Sequence, residues 1–248
     1  MQFIPYKTRV LTPPKDDLFE AIKSAKLNIK DGDVIVVSSK VVSIGEGRCL
    51  PFKNQAQKDR LAKGEADYFV DIRRSSVWKS LFTVTEGVLI GRAGIDESNG
   101  KGHLILYPKN PMKSADTLRK WFQKTYSVKK LGVIISDSRS TPLRRGAIGF
   151  ALGWAGIVPL KDYRKTKDLF GRAFQVEIAN IADGLAGGAV VAMGEGNEQT
   201  PIVVIRNAPV VFTEKKRPQE RIVKVKLEND LFSPFLLKLK WKKGGGRD

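Results

Sequence analysis

The chain has 248 residues, 42% hydrophobic and 28% charged, which is enough apolar material for a sizeable core and too much for a disordered segment. With 44 Lys and Arg against 26 Asp and Glu its formal charge is +18, which favours anionic partners: nucleic acid, phosphate-bearing small molecules or a membrane surface. A single cysteine, Cys49, excludes an intrachain disulfide, and a single histidine, His103, argues against a histidine-based zinc site.

In chain order, Asp16–Leu27 predicts a helix, acidic at its start and with Leu18, Ile22 and Ala25 at helical spacing. Val34–Val37 is a short buried strand. Asn54–Asp67 is polar, an exposed helix or a loop. Phe82–Val84 and Val88–Ile90 flank Thr-Glu-Gly and predict a hairpin. Ser114–Thr125 carries Leu118, Trp121 and Phe122 on one side, a second amphipathic helix. Leu131–Ser136 and Ile202–Arg206 are further buried strands, and Ala179–Met193 is a helix rich in small residues. Helices alternating with strands, plus a hairpin, define an α+β (mixed α/β) architecture. Residues 214–248 hold eleven Lys and Arg against five Asp and Glu, so a body of 1–213 is followed by a more basic extension, 214–248. In that extension Ile222, Val223, Val225 and Leu227 alternate with Lys224 and Lys226, and Phe235–Trp241 repeats the mixture. The pattern predicts strands packed on the body, with only Gly244–Asp248 loose. No apolar run spans a bilayer and no leader pattern is visible in residues 1–15, so a cytoplasmic protein with no membrane partner is expected.

Four loops combine Gly with acidic, hydroxyl or basic side chains: Ser38–Arg48, Ala93–Gly102, Ser136–Gly146 and Met193–Glu198. Gly94–Gly102 is no Walker A loop, because its spacing is one residue too long and Gly102 stands where a Mg²⁺-binding hydroxyl belongs. Asp96, Asp137 and Glu195 are carboxylates for a hard ion such as Mg²⁺ or Mn²⁺, or else turn-forming residues. Glu195 lies between Gly194 and Gly196, a sign of close approach by another group. Arg144 and Arg145 are either a bidentate clamp for phosphate or carboxylate or two solvated cations at a helix entrance. Ser38 and Ser39 offer hydroxyls and N–H groups to a phosphate, or form the polar end of a strand. Cys49 has no neighbour to activate it, and His103 reads as a strand-start residue.

Taken in order, GDVIVVSSKVVSIGEGR (Gly32–Arg48), AGIDESN (Ala93–Asn99), GVIISDSRSTPLRRGAIGFALG (Gly132–Gly153), DLFGR (Asp168–Arg172), IADGLAGGA (Ile181–Ala189) and MGEGNEQTPIVVIR (Met193–Arg206) resemble the coenzyme F-420-0:L-glutamate ligase family. The wording of two loops looks most like a single-domain bacterial branch described as folate-metabolism γ-glutamate ligases. The resemblance implies a ligase that joins L-glutamate to a carboxylate of F-420-0, or of a folate or pterin, through an acyl phosphate. GTP or ATP would be the co-substrate. It also implies metal ligation by Asp96, Asp137, Ser138 and Glu195, nucleotide contacts from Ser38, Ser39 and Asn99, and a homodimer. Arg144 and Arg145 are assigned to anions from chemistry alone. The family commonly has lysine where this chain has Ile44; Lys40, read as part of a strand, is the substitute phosphate contact. The competing reading is a basic nucleic-acid-binding protein without ligase activity, which the charge and the tail favour.

Overall fold

Strands buried on both faces have no polar alternation to show, and here they read as continuous aliphatic runs. In the computed structural model, which describes residues 1–73, 79–216 and 220–246, three such runs lie side by side: Asp33–Ser38, Leu131–Ser140 and Ile202–Arg206. The first two pair in parallel, Asp33 opposite Leu131 and Ser38 opposite Ser136. Ile202–Arg206 runs antiparallel to Asp33–Ser38 and also takes Gln2–Tyr6 on its other side, Gln2 opposite Arg206. Ala147–Ala155 closes the other edge against Leu131–Ser140, with a register break between Ile135 and Ser136. The five-stranded order is thus Gln2–Tyr6, Ile202–Arg206, Asp33–Ser38, Leu131–Ser140, Ala147–Ala155.

Two helices cover this sheet. Val34, Val36, Ile134, Val203 and Ile205 pack with Ala182, Leu185, Ala186, Ala189 and Met193 of the Ile181–Met193 helix. The alternate residues Ile35, Val37, Val133 and Ile135 are equally buried, as successive strand side chains on opposite faces require when both faces are covered. The Pro111–Tyr126 helix buries Met112, Ala115, Leu118 and Phe122, together with Arg119. Burying a guanidinium demands partners. Arg119 Nε donates to the Leu131 carbonyl at 2.8 Å and its terminal nitrogens donate to the Glu214 carboxylate. These elements belong to one compact unit, Met1–Thr8, Ala25–Ser38 and Pro111–Val223.

The second unit comprises Arg9–Ser24, Ser39–Asn110 and Lys224–Asp248. Its sheet runs Lys242–Lys243, Tyr68–Asp71, Leu81–Thr85, Val88–Gly91. Ala62 and Ala66, at the end of the Gln55–Glu65 helix, pack with Leu81, Ala93, Ile95, Leu104 and Leu106. Asn54 caps that helix by accepting from the Gln57 N–H. The short helices Leu18–Ser24 and Ser39–Glu46 and the ladder of Cys49–Pro51 with His103–Ile105 complete it.

Most predicted elements are present, and the α+β class holds. Three expectations change. Lys40 lies in the Ser39–Glu46 helix and not in a strand, so Lys40 and Ile44 share a face by helical spacing. The tail is not a pair of amphipathic strands. It forms a helical turn at Glu220–Val223, a 3₁₀ turn at Leu227–Asn229, a helical turn at Ser233–Leu236 and one short strand, Lys242–Lys243. Gly244, Gly245 and Gly246 are not loose, since their N–H groups donate to the carbonyls of Asp67, Lys63 and Ala66, each at 2.9 Å. Arg247 and Asp248 lie outside the described residues.

Candidate active-site loops

In the second unit the chain reaches Asp96 through a turn that no ordinary sequence would adopt unaided. Arg92, Ala93 and Gly94 all have positive φ, at 47°, 55° and 70°. Left-handed backbone at non-glycine residues costs of order 1–3 kcal/mol each and persists only where the surroundings impose it. Here they do. The buried Thr83 hydroxyl accepts from the Ala93 N–H at 2.8 Å and donates to the Ile90 carbonyl at 2.6 Å. Arg92 pairs with Asp59 at 2.9 Å, and Asp59 is shared with Arg73. Gly94 is obligatory, because a Cβ there would lie 2.1 Å from the Tyr107 ring. Beyond the turn, Asp96 exchanges both backbone hydrogen bonds with Ile105, at 3.0 and 2.8 Å.

The Asp96 carboxylate so fixed meets the Lys40 ammonium at 2.6 Å. It also accepts from the Ser98 N–H and the Ser98 hydroxyl, each at 2.8 Å, and Lys40 in turn donates to that hydroxyl's oxygen at 2.8 Å. Burial pushes the Asp96 carboxyl up, but Lys40 and the Ser98 donors outweigh it and leave it below its ordinary value. Ser98 is the residue that sequence reasoning passed over, although it lies inside the quoted AGIDESN. Asn99 is exposed in the same loop with φ 53°, and Ser39 opens the Ser39–Glu46 helix as a buried residue. Ile44 is buried, so this position, for which the resemblance implied a lysine, belongs here to the packing of the helix. Cys49 is buried too, and burial pushes its thiol up, which removes it as a nucleophile.

In the first unit, Asp137 and Ser138 are not in a loop after the strand but within it, since Leu131–Ser140 extends past the Ile135/Ser136 irregularity. The Ser138 hydroxyl donates to Glu195 at 3.3 Å. Asp137 stands opposite Phe150 in the ladder. Glu195 follows the Ile181–Met193 helix, whose C-cap Gly194 has φ 78°. The close approach that the flanking glycines signalled comes from Glu198. A Cβ on Gly194 would lie 2.2 Å from its carboxyl carbon, and Glu198 accepts from the Gly196 N–H at 2.9 Å. Arg144 and Arg145 are exposed in the turn between two strands, Leu131–Ser140 and Ala147–Ala155, and not at a helix entrance. Sequence reading also missed Arg139. Its guanidinium lies 5.2 Å from the Phe150 ring centroid, and its buried Nε has no hydrogen-bond partner among the described residues. Ser38 ends its strand, its N–H donating to the Pro201 carbonyl at 2.9 Å. Among the described residues no three His, Cys, Asp or Glu side chains form a group able to hold a metal ion. The sharing of an ion by Asp96, Asp137 and Glu195 therefore rests on the resemblance and not on a formed cluster.

These loops and this fold define a class. The F420-0:Gamma-glutamyl ligase family matches residues 10–207, and the chain belongs to it. Among its relatives is the coenzyme F420:L-glutamate ligase of Methanocaldococcus jannaschii, 37% identical over 223 residues, 80% of this chain and 87% of the relative. The protein of the same name from Methanococcus maripaludis is 39% identical over 199 residues, 75% of this chain and 79% of the relative. That of Archaeoglobus fulgidus is 34% identical over 223 residues, 85% and 89% of the two chains.

Proposed function

We propose that this chain is a γ-glutamyl ligase that uses GTP or ATP, with Mg²⁺ or Mn²⁺, to join L-glutamate to a carboxylate of F420-0. The observation that carries the reading is the Lys40–Asp96–Ser98 constellation, built on an imposed left-handed turn in a chain that belongs to this ligase family. Strain maintained around one carboxylate is a mark of function.

The donors suit a hard divalent ion, being carboxylate and hydroxyl oxygens throughout, with Ser138 and Glu195 already in contact. Asp137, Ser138 and Glu195, all in the first unit, would hold the ion. Its contribution when bound is to neutralise phosphate oxygens as a carboxylate approaches them. The protein's own side chains supply the rest. Lys40 is a fixed cation beside Asp96, and Ser38, Ser39 and Asn99 are the nucleotide contacts. Arg144 and Arg145, exposed and cationic, receive anionic groups of the substrates. In the reaction, an acceptor carboxylate oxygen bonds to the γ-phosphorus as its bond to the nucleoside diphosphate breaks. The glutamate amine then bonds to the acyl carbon, phosphate leaves, and the amine gives up a proton. A homodimer is the working assembly in this reading.

The test is incubation of the protein with Mg²⁺ or Mn²⁺, labelled glutamate, GTP or ATP, and F420-0 or a folate, with products read by mass spectrometry. We expect a glutamylated F420-0 product with stoichiometric phosphate, and loss of both in Asp137→Asn with an unchanged melting temperature. Glutamylation of the folate alone would transfer the reading to that acceptor. Absence of acceptor-dependent phosphate release with either nucleotide would overturn it.

A further inference from the structure

The segment that follows Val223 lies beyond residues 10–207, so the ligase family accounts for none of it. It is nonetheless ordered by its own hydrogen bonds. Asp230 accepts from the Phe232 N–H at 2.8 Å, Leu237 N–H donates to the Ser233 carbonyl at 2.9 Å, and the Trp241 indole N–H donates to the Leu236 carbonyl at 2.8 Å. Lys242–Lys243 pairs with Tyr68–Phe69 and anchors its end. Within this frame Leu236, Leu239 and Trp241 are half-buried, whereas Leu231, Phe232, Phe235 and Leu237 are turned to solvent. Leu231 is 86% exposed and Phe235 71%. Exposed Lys226, Lys238, Lys240, Lys242 and Lys243 flank them, opposed only by Glu228 and Asp230 between Lys224 and Gly246.

A run of large apolar side chains held outward by a hydrogen-bonded backbone marks an interaction surface. Its chemistry narrows the partner. A nucleic acid would use the lysines and stack on Phe232 and Phe235, but it would leave Leu231 and Leu237, which carry no ring, in water. A second copy meeting this same patch across a two-fold axis would set its Lys226, Lys238, Lys240, Lys242 and Lys243 against these lysines, so a homodimer uses another face. An anionic lipid surface satisfies both halves, taking Phe and Leu at the headgroup boundary and Lys on the phosphates. No helix among the described residues is long and apolar enough to cross a membrane, so the association is peripheral.

We propose that Leu231–Lys243 is a docking site for an anionic phospholipid bilayer.

The experiment is co-sedimentation of the full chain with vesicles of phosphatidylcholine, and of an equimolar mixture of phosphatidylcholine and phosphatidylglycerol. Binding is expected on the mixed vesicles and not on the neutral ones. Each of Lys238→Glu and Lys240→Glu should weaken it at least about fivefold, the loss expected for one lysine at an anionic surface. Phe235→Ser should weaken it by roughly tenfold or more at unchanged salt dependence, since a phenyl group that enters the boundary is lost. All three side chains are exposed and outside the ligase loops, so the variants should keep the melting temperature and glutamylating activity of the parent. Equal vesicle binding by parent and Phe235→Ser would overturn the proposal, as would absence of binding to the mixed vesicles. It would equally be overturned if Phe235→Ser split a dimer, or if the lysine variants lost RNA affinity while vesicle binding stayed unchanged. None of these results bears on the ligase reading, which is tested by product formation.

Discussion

Asp96 shows how much structure one carboxylate can require. Its position depends on a turn of three left-handed residues, and that turn depends on the Thr83 hydroxyl, which satisfies Ala93 and Ile90 together. Thr83→Val keeps the shape and removes both hydrogen bonds, leaving a buried N–H and a buried carbonyl unpaired. The expected cost is about 1–3 kcal/mol in denaturant unfolding, with a fall in ligase activity because Asp96 is no longer held. A variant with full activity and unchanged stability would show that the turn is self-sustaining. Candidate residues could be picked out in the sequence here, Glu195 by its flanking glycines and Asp96 and Asp137 by motif. Their surroundings were not. Thr83 is ten residues from the N–H it receives, and Ser98 looked like an ordinary loop serine until Lys40 was placed beside it.

At the scale of elements, the buried strands were readable because a short, unbroken aliphatic run fits a strand covered on both faces. The Ile181–Met193 helix was readable because its small residues sit in a 13-residue block without breakers other than glycine. Two readings failed for a common reason. Ser38–Arg48 was read as a loop with Lys40 in strand backbone, yet Ser39–Glu46 is helical and buries Val42 and Ile44 on one side. Lys alternating with Val and Leu in the tail looked like strand by period, but the tail resolves into short turns, with Pro234 at the start of one. Propensity and period are local, and packing overruled them.

The segment leading into the Leu18–Ser24 helix carries a pH prediction. Arg9 holds the Asp16 carboxylate bidentately at 2.9 and 3.0 Å, and Asp16 also accepts from the Thr12 and Asp17 N–H groups. The Arg9 hydrogen bonds, with those backbone donors, hold the Asp16 carboxyl well below the usual carboxylate range. A depressed carboxyl stabilises the fold above its unfolded value, about 3.9, and that contribution disappears as pH falls toward the folded value. Arg9→Gln should therefore lower stability at neutral pH and lose less of it on acidification than the parent. Denaturant midpoints at pH 7 and near pH 3 check this, and parallel pH dependence in the two proteins would contradict it.

For the whole molecule, a net charge of +18 acts at a distance on anionic substrates. The screening length shrinks from about 30 Å at 0.01 M salt to about 8 Å at 0.15 M. If the proposed reaction holds, the KM for GTP or ATP should rise over that range while kcat changes little, because steering affects encounter and not chemistry. A salt-independent KM would mean that the lysines serve solubility alone. Charge was fully legible in the sequence; its placement in the tail around exposed Leu and Phe was not, because exposure is a property of the fold.

Neither compact unit is a continuous stretch of chain. The backbone changes unit after Thr8, Ser24, Ser38, Asn110 and Val223. Among the described residues Gln2–Tyr6 pairs with Ile202–Arg206 alone, so its ladder hydrogen bonds wait for a segment far along the chain. The parallel pairing of Asp33–Ser38 with Leu131–Ser140 likewise waits for a distant segment. Long-range pairings of this kind make folding slow and leave strand edges open to other chains meanwhile. Until the distant strands arrive, the edges of Gln2–Tyr6 and Asp33–Ser38 are open to pairing with other chains, and refolding yield should fall as protein concentration rises.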